Sequence, residues 1–137
     1  MNARDCLKQA AEQLVDAGCD SPRLDAELLL MHAWQISKTD LIIRMHDQVP
    51  SPVCEKFNTL LQRRLMREPL AYIVGEKEFW SLSFYVDSRV LIPRPETEHI
   101  IEEVLKLYTD RNASYRFCDI GTGSGCIACT LATEYPN

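Results

Sequence analysis

The amino-acid sequence predicts an α+β chain, with a helical bundle first, a β-hairpin next and a strand–turn–helix (βα) unit last. Three observations support this prediction. Apolar residues recur at helical spacing over residues 3–74. Aromatic and β-branched residues then dominate residues 76–87. Finally, three alternating glycines separate the short run 115–120 from a last apolar segment over 126–134.

The bundle is predicted to contain four helices and a final helical turn. The first helix covers 3–17 and is followed by Gly18, a residue that suits the C′ position. Ser21 and Pro22 predict the start of a second helix, to about Gln35. The later signals are Thr39 before a helix over 40–45, Ser51-Pro52 before a helix to about Arg67, and Pro69 before a turn over 70–74. The residues expected on or near the inner faces of the first two helices are Cys6, Leu7, Ala10, Ala11, Leu14, Val15, Leu24, Leu28, Leu29, Met31 and His32.

The second half is expected to begin with the hairpin and a short extended piece over 90–92. Pro95 then predicts a helix to about Tyr108, and the acids Glu96 and Glu98 suit the positive end of its dipole. A strand over 115–120, a tight turn over 121–125 and a helix over 126–134 follow.

Composition excludes several classes of protein. The chain has 137 residues and a net charge of −5, which argues against binding nucleic acid by charge alone. No apolar run approaches the roughly 20 residues of a membrane span, and no apolar secretory segment opens the chain. We therefore expect a cytoplasmic protein with no membrane contact and no direct nucleic-acid binding.

The six cysteines and three histidines show no metal-site spacing. Cys126 and Cys129 form a C-x-x-C, but no second pair completes a zinc site, and the histidines are scattered. We expect mostly buried, reduced thiols and no metal.

The glycine turn Gly121-Thr122-Gly123-Ser124-Gly125 is the most informative stretch. A phosphate loop would need a lysine after the glycines, and none is present. In the dinucleotide-binding spacing G-x-G-x-x-G the third glycine would lie one residue later. The D-x-G-x-G-x-G loop of S-adenosylmethionine enzymes fits, with Asp119 beside the cationic end of the cofactor. The alternative is a glycine-rich βα turn that binds no ligand.

Three motifs together resemble one protein family. Residues 119–125 resemble motif I of class I S-adenosylmethionine-dependent methyltransferases. Residues 67–80 (REPLAYIVGEKEFW) and residues 91–98 (LIPRPETE) resemble signatures of the peptide chain release factor glutamine N5-methyltransferases. The order and spacing of the three motifs match, and the resemblance covers the whole chain as the N-terminal portion of such a protein.

The resemblance implies three regions. Residues 1–75 would form an N-terminal helical domain that binds release factors, and residues 76–92 a β-hairpin linker. Residues 93–137 would begin a Rossmann-like, doubly wound methyltransferase domain. The implied reaction transfers a methyl group from S-adenosyl-L-methionine to the side-chain amide nitrogen of the glutamine in the Gly-Gly-Gln motif of class I release factors. The implied cofactor-binding residues are Asp119, Ile120, Gly121, Thr122, Gly123 and Gly125.

The catalytic Asn-Pro-Pro-Tyr segment of the family is absent from these 137 residues. We therefore assign no catalytic residue, and we expect this chain alone to lack methyltransferase activity. Two alternatives remain open: a non-catalytic module that binds release factors, and a related methyltransferase acting on another protein glutamine or on a nucleic-acid base.

Weaker signals have a functional and a structural interpretation. The resemblance places Arg94, Glu96, Thr97 and Glu98 on the substrate side of the cofactor pocket, whereas a proline-started helix with first-turn acids would produce the same pattern. Basic residues of the fourth helix either dock an acidic surface or form a solvated face; they are Lys56, Arg63, Arg64 and Arg67. Four hairpin aromatics either stack on substrate or pack against the helical domain; they are Phe79, Trp80, Phe84 and Tyr85.

Overall fold

A computed structural model describes all residues from 1 to 137, and they divide into two compact units. The first unit is Met1–Val74 and the second is Gly75–Asn137. The first unit is helical, and the second combines helices with one two-stranded antiparallel sheet. The α+β class predicted from the sequence is confirmed.

The first unit contains five helices, which we number in chain order. They are α1 (Ala3–Asp16), α2 (Pro22–Trp34), α3 (Lys38–Ile43), α4 (Ser51–Leu65) and α5 (Leu70–Val74). Their apolar faces meet in one core, and Leu14, Leu29 and Leu30 are completely buried. The predicted inward position of two residues is wrong: Val15 and Leu24 are 59% and 52% exposed. Each lies at the border of the buried stripe of its helix.

The helix starts differ from the sequence prediction at two places. Helix α3 is capped by Ser37 and not by Thr39: the Ser37 hydroxyl accepts from the Asp40 N–H at 3.1 Å, and the Asp40 carboxylate accepts from the Ser37 N–H at 3.1 Å. This reciprocal pair is a capping box, which satisfies two backbone donors at once. Helix α4 begins at Ser51 itself, with Pro50 as N-cap, so the predicted Ser51 cap is also wrong.

The second unit opens with the predicted hairpin. Strands β1 (Glu76–Phe79) and β2 (Leu82–Tyr85) pair antiparallel, with Glu76 opposite Tyr85 and Phe79 opposite Leu82. The two turn residues, Trp80 and Ser81, have φ values of 51° and 59°. Positive φ at both central residues matches the strand twist of a two-residue hairpin, although glycine or asparagine usually occupies these positions.

Helices follow the hairpin and supply its covering surface. A short 3-10 helix (Pro95–Thr97) leads into α6 (Glu98–Leu107), and the last helix is α7 (Cys126–Glu134). The second core contains Phe79, Phe84, Ile101, Cys126, Leu131 and Tyr135. Packing within this unit therefore accounts for three of the four hairpin aromatics, since half-buried Trp80 packs against this core, whereas the Tyr85 side chain is exposed.

The predicted strand over residues 115–120 is wrong, and the predicted extended piece over 90–92 lies outside the sheet. Neither segment pairs with a strand, since β1 and β2 form the sheet by themselves. A strand exists only through its ladder of hydrogen bonds to a neighbour, so an apolar run with no partner stays irregular. Phe117 and Ile120 are consequently exposed, Ile120 to 93%.

Two further properties of the chain are the character of its helices and the exposure of its cysteines. None of the helices combines the length and the apolar character that crossing a membrane requires. Cys6, Cys19 and Cys126 are buried, Cys54 is half-buried, and Cys118 and Cys129 are exposed. All six are free thiols.

Candidate functional site

The glycine turn has a backbone that other residues adopt only with strain. The φ values of Gly121, Gly123 and Gly125 are 78°, 57° and 80°, all in the left-handed region. The Gly125 N–H donates to the Thr122 carbonyl at 2.9 Å, which closes the turn. A Cβ atom at Gly121 or Gly123 would meet nothing within 4 Å, so open space lies beside both.

The turn places a carboxylate close to the start of a helix. Gly125 is the N-cap of α7, whose first amide groups lack intrahelical acceptors and carry partial positive charge. The Thr122 hydroxyl donates to the Asp119 carboxylate at 2.9 Å, which fixes the orientation of that half-buried side chain. The arrangement therefore offers a negative group for a cation and amide donors for an anion.

A groove of about 570 Å³ runs between α6 and α7. It is mostly apolar and is lined by Ile100, Val104, Tyr115, Phe117, Cys118, Asp119, Ile127, Ala128, Leu131, Ala132 and Tyr135. Among the predicted cofactor-binding residues, Asp119 alone lines this groove. The glycines of the turn do not line it.

The predicted substrate-side residues lie at the start of α6. Arg94 is exposed, and its carbonyl accepts from the Thr97 N–H at 3.0 Å, while Glu96 is also exposed. Glu98 has a structural contact: its Oε1 accepts from the backbone N–H of Trp80 at 2.8 Å. None of these side chains lines the groove.

Comparison with known proteins identifies the family. A family model described as "PrmC N-terminal domain" matches residues 5–75, just over half of the chain. The chain belongs to this family. Its resemblance to the release factor glutamine methyltransferases, predicted from the sequence, is confirmed.

Named relatives match nearly the whole chain. A release factor glutamine methyltransferase of Nitratidesulfovibrio vulgaris is 48% identical over 93% of this chain and 43% of its own length. One of Coxiella burnetii is 41% identical over 100% of this chain and 49% of its own. A bifunctional methyltransferase of Rickettsia prowazekii is 38% identical over 96% of this chain and 29% of its own length. The chain therefore spans about half, or less, of the length of these relatives.

The hairpin signature of this family member carries a polar network that the sequence did not predict. The Trp80 indole N–H donates to Glu134 Oε1 at 2.7 Å, and the same carboxylate pairs with Arg111. The guanidinium of Arg111 lies 5.3 Å from the Tyr135 ring centroid, a cation–π contact. The Trp80 hydrogen bond, followed by Arg111, lowers the pKa of the Glu134 carboxyl. Together with the Glu98 contact, this network fixes the hairpin turn to both α6 and α7.

The basic residues at the end of α4 also have partners within the first unit. Arg63 makes two bonds to the Glu68 carboxylate, at 2.8 and 2.5 Å. Arg64 Nε donates to Asp25 Oδ2 at 2.7 Å, and its Nη1 donates to the Glu68 carbonyl at 3.0 Å.

Arg67 completes this set. Its φ is 67°, and its guanidinium donates to the carbonyls of Ala17 and Gly18 at the end of α1. Each of these arginines therefore has a partner within the first unit, although Arg67 is exposed and the Arg63 side chain is 41% exposed. Docking through this face stays a prediction.

Proposed function

We propose that the protein represented by this chain transfers a methyl group from S-adenosyl-L-methionine to the side-chain amide nitrogen of the glutamine in the Gly-Gly-Gln motif of class I peptide chain release factors. The names of relatives that match over nearly the whole chain support this proposal. The single structural observation that carries it is the turn of three left-handed glycines between Asp119 and α7.

The turn fits the cofactor in charge and in shape. S-adenosylmethionine, when bound, supplies a methyl group on a positively charged sulfur. The Asp119 carboxylate would attract a cationic group, and the open space beside Gly121 and Gly123 admits a ligand against the backbone. Ile120, Thr122 and Gly125 would complete the site, Thr122 by holding Asp119 in place.

Transfer to an amide nitrogen depends on positioning. That nitrogen is a weak nucleophile because its lone pair is delocalised into the carbonyl, so orientation and hydrogen bonding supply most of the catalysis. We assign the segment of Arg94, Glu96, Thr97 and Glu98 to the substrate side, where exposed Arg94 and Glu96 are available for contacts. We assign no catalytic residue within residues 1–137, and we propose that this chain alone does not catalyse methyl transfer.

The proposal also covers domains, partner and location. Residues 1–75 would bind the release factor, and residues 93–137 would begin a Rossmann-like methyltransferase domain. The hairpin over 76–92 would be the linker between these two regions. The cellular location would be cytoplasmic, where release factors act.

A chimera tests the proposal. Residues 1–137 replace the matching part of the Nitratidesulfovibrio vulgaris relative, and methylation of a class I release factor is measured with radiolabelled cofactor. We expect activity from the chimera and none from the 137-residue chain. Asp119→Asn in the chimera should weaken cofactor binding about 10- to 150-fold, since a charged hydrogen-bond partner contributes about 1.5–3 kcal/mol.

Asp110→Asn is the matched control, since Asp110 is an exposed loop acid outside the turn. A chimera that folds and binds a release factor but leaves it unmethylated would favour the non-catalytic binding module. Equal cofactor affinity in the Asp119→Asn and Asp110→Asn chimeras would refute the assigned site.

A further inference from the structure

Two cysteine thiols from different helices lie together in the first unit. Cys6 of α1 and Cys54 of α4 both line a cavity of about 50 Å³. Cys6 is 4% exposed, whereas Cys54 is half-buried and its Sγ lies 3.6 Å from the Val49 carbonyl oxygen. The pair joins residues that are far apart in the sequence, so the fold itself creates it.

Cys54 also contributes to the electrostatics of Cys6. Burial is the main cause that raises the pKa of the Cys6 thiol, and the Cys54 thiol is the next. Cys6 is therefore protonated at neutral pH. No other cysteine contributes to its environment.

The cavity is suited to a small polar molecule. Gln9, Gln13 and Asn58 contribute neutral amide groups to its lining. Its volume exceeds the share of about 30 Å³ that one water molecule occupies in the liquid, so a molecule the size of hydrogen peroxide fits. Amide groups offer both donors and acceptors to such a molecule and to a sulfenic acid.

We propose that Cys6 and Cys54 form a redox-modification site that a peroxide converts into an intramolecular disulfide between α1 and α4. The Cys54 thiol loses its proton as its sulfur attacks one peroxide oxygen; the O–O bond breaks, the released hydroxide takes up that proton, and the products are a sulfenic acid and one water. The Cys6 sulfur then loses its proton and attacks the Cys54 sulfur; the S–O bond breaks and a second water leaves. Both sulfurs are oxidised, and the peroxide is reduced to two waters.

The order of the two steps follows from exposure. Cys54 is the more exposed thiol and meets the oxidant first, whereas buried, protonated Cys6 is the resolving thiol. The site lies within the bundle and is independent of the proposed methyl transfer.

Thiol counting on the 137-residue chain tests this proposal. Cys118→Ser and Cys129→Ser remove the exposed thiols, which leaves four of the six cysteines. Hydrogen peroxide should lower the count in denaturant from four thiols to two and lower the mass of the monomer by about 2 Da. Peptide mapping should show Cys6 joined to Cys54, and the thermal midpoint should rise because the cross-link restricts the unfolded chain.

Two further variants separate the steps. Cys6→Ala should stop the reaction at the Cys54 sulfenic acid, which dimedone captures. Cys19→Ser is the matched control, because Cys19 is a buried thiol of the same unit, and disulfide formation should persist in it. Circular dichroism checks that each variant folds.

The proposal is overturned if four thiols remain at peroxide concentrations that oxidise Cys118 and Cys129 in the parent chain. A disulfide mapped to Cys19 would equally overturn it.

Discussion

Removal of Asp25 tests the ion pair that joins α2 to α4. The Asp25 side chain is 8% exposed and that of Arg64 is 15% exposed, and the two atoms of the pair are 2.7 Å apart. Asp25→Ala would leave the guanidinium of Arg64 in a mostly buried site without its counter-charge. The free energy of unfolding should therefore fall.

The size of the loss follows from what Arg64 retains. Breaking a fully buried pair costs about 3–5 kcal/mol. Arg64 keeps its bond to the Glu68 carbonyl at 3.0 Å and some contact with water, so we expect a loss of about 2–3 kcal/mol. Replacing both partners, as in Asp25→Leu with Arg64→Met, should recover at least half of that loss, because no charge then remains unpaired.

The assay is urea unfolding followed by tryptophan fluorescence. The chain has two tryptophans, so a Trp80→Phe background leaves Trp34 as a reporter of the first unit alone. Arg23→Ala is the matched control on the same helix, since its pair with Glu27 is exposed on the arginine side and should contribute less than about 0.5 kcal/mol. If Asp25→Ala and Arg23→Ala destabilise the unit equally, the burial argument is refuted.

Four further predictions concern the second unit and the two halves. Trp80→Phe deletes the indole donor to Glu134 and should cost about 1–2 kcal/mol of unfolding free energy, measured by thermal denaturation. The pKa of Glu134 is lowered from its ordinary 4.5, so its contribution to stability is complete above that pH and is lost as pH falls through the folded-state value. Glu134→Gln should therefore flatten the stability profile below about pH 4.5; an unchanged slope contradicts the assignment. Gly123→Ala should cost about 1 kcal/mol through its positive φ and not through a clash; no measurable loss means that the turn has another conformation. Amide exchange should show residues 113–137 weakly protected and residues 3–74 strongly protected, and strong protection of 113–137 in a dilute monomer would overturn this expectation.

Local patterns predicted much of the fold. Helix periodicity located α1 within a residue at its C-terminal end, because its apolar stripe and the glycine after it are local features. The hairpin was predicted correctly from residue type alone. Its turn was not, because Trp80 and Ser81 adopt positive φ without glycine.

Long-range polar contacts escaped prediction. Asp25 is the fourth residue of α2, and a charged residue there is expected to face water. It is buried because Arg64, on a helix far away in the sequence, neutralises it. The same holds for Glu134, whose partners come from the hairpin and from a loop. A single sequence records the residue types but not the partners that make burial of a charge favourable.

The glycine turn depends on local properties, whereas the strand predicted before it depends on a distant partner. The turn keeps three left-handed glycines and the bond from Thr122 to Asp119 although no sheet lies beneath it, because backbone freedom and a contact three residues away are local properties. The segment over 115–120 mixes apolar residues with Arg116 and Asp119 in a pattern that predicts a strand, yet it forms none, because strand formation requires a neighbour. The conformation of the candidate cofactor loop is therefore encoded by the loop itself, whereas a strand before it would need a neighbour that β1 and β2 do not supply. Substitutions of the turn glycines should accordingly act first on the conformation of the turn, because all three glycines have positive φ.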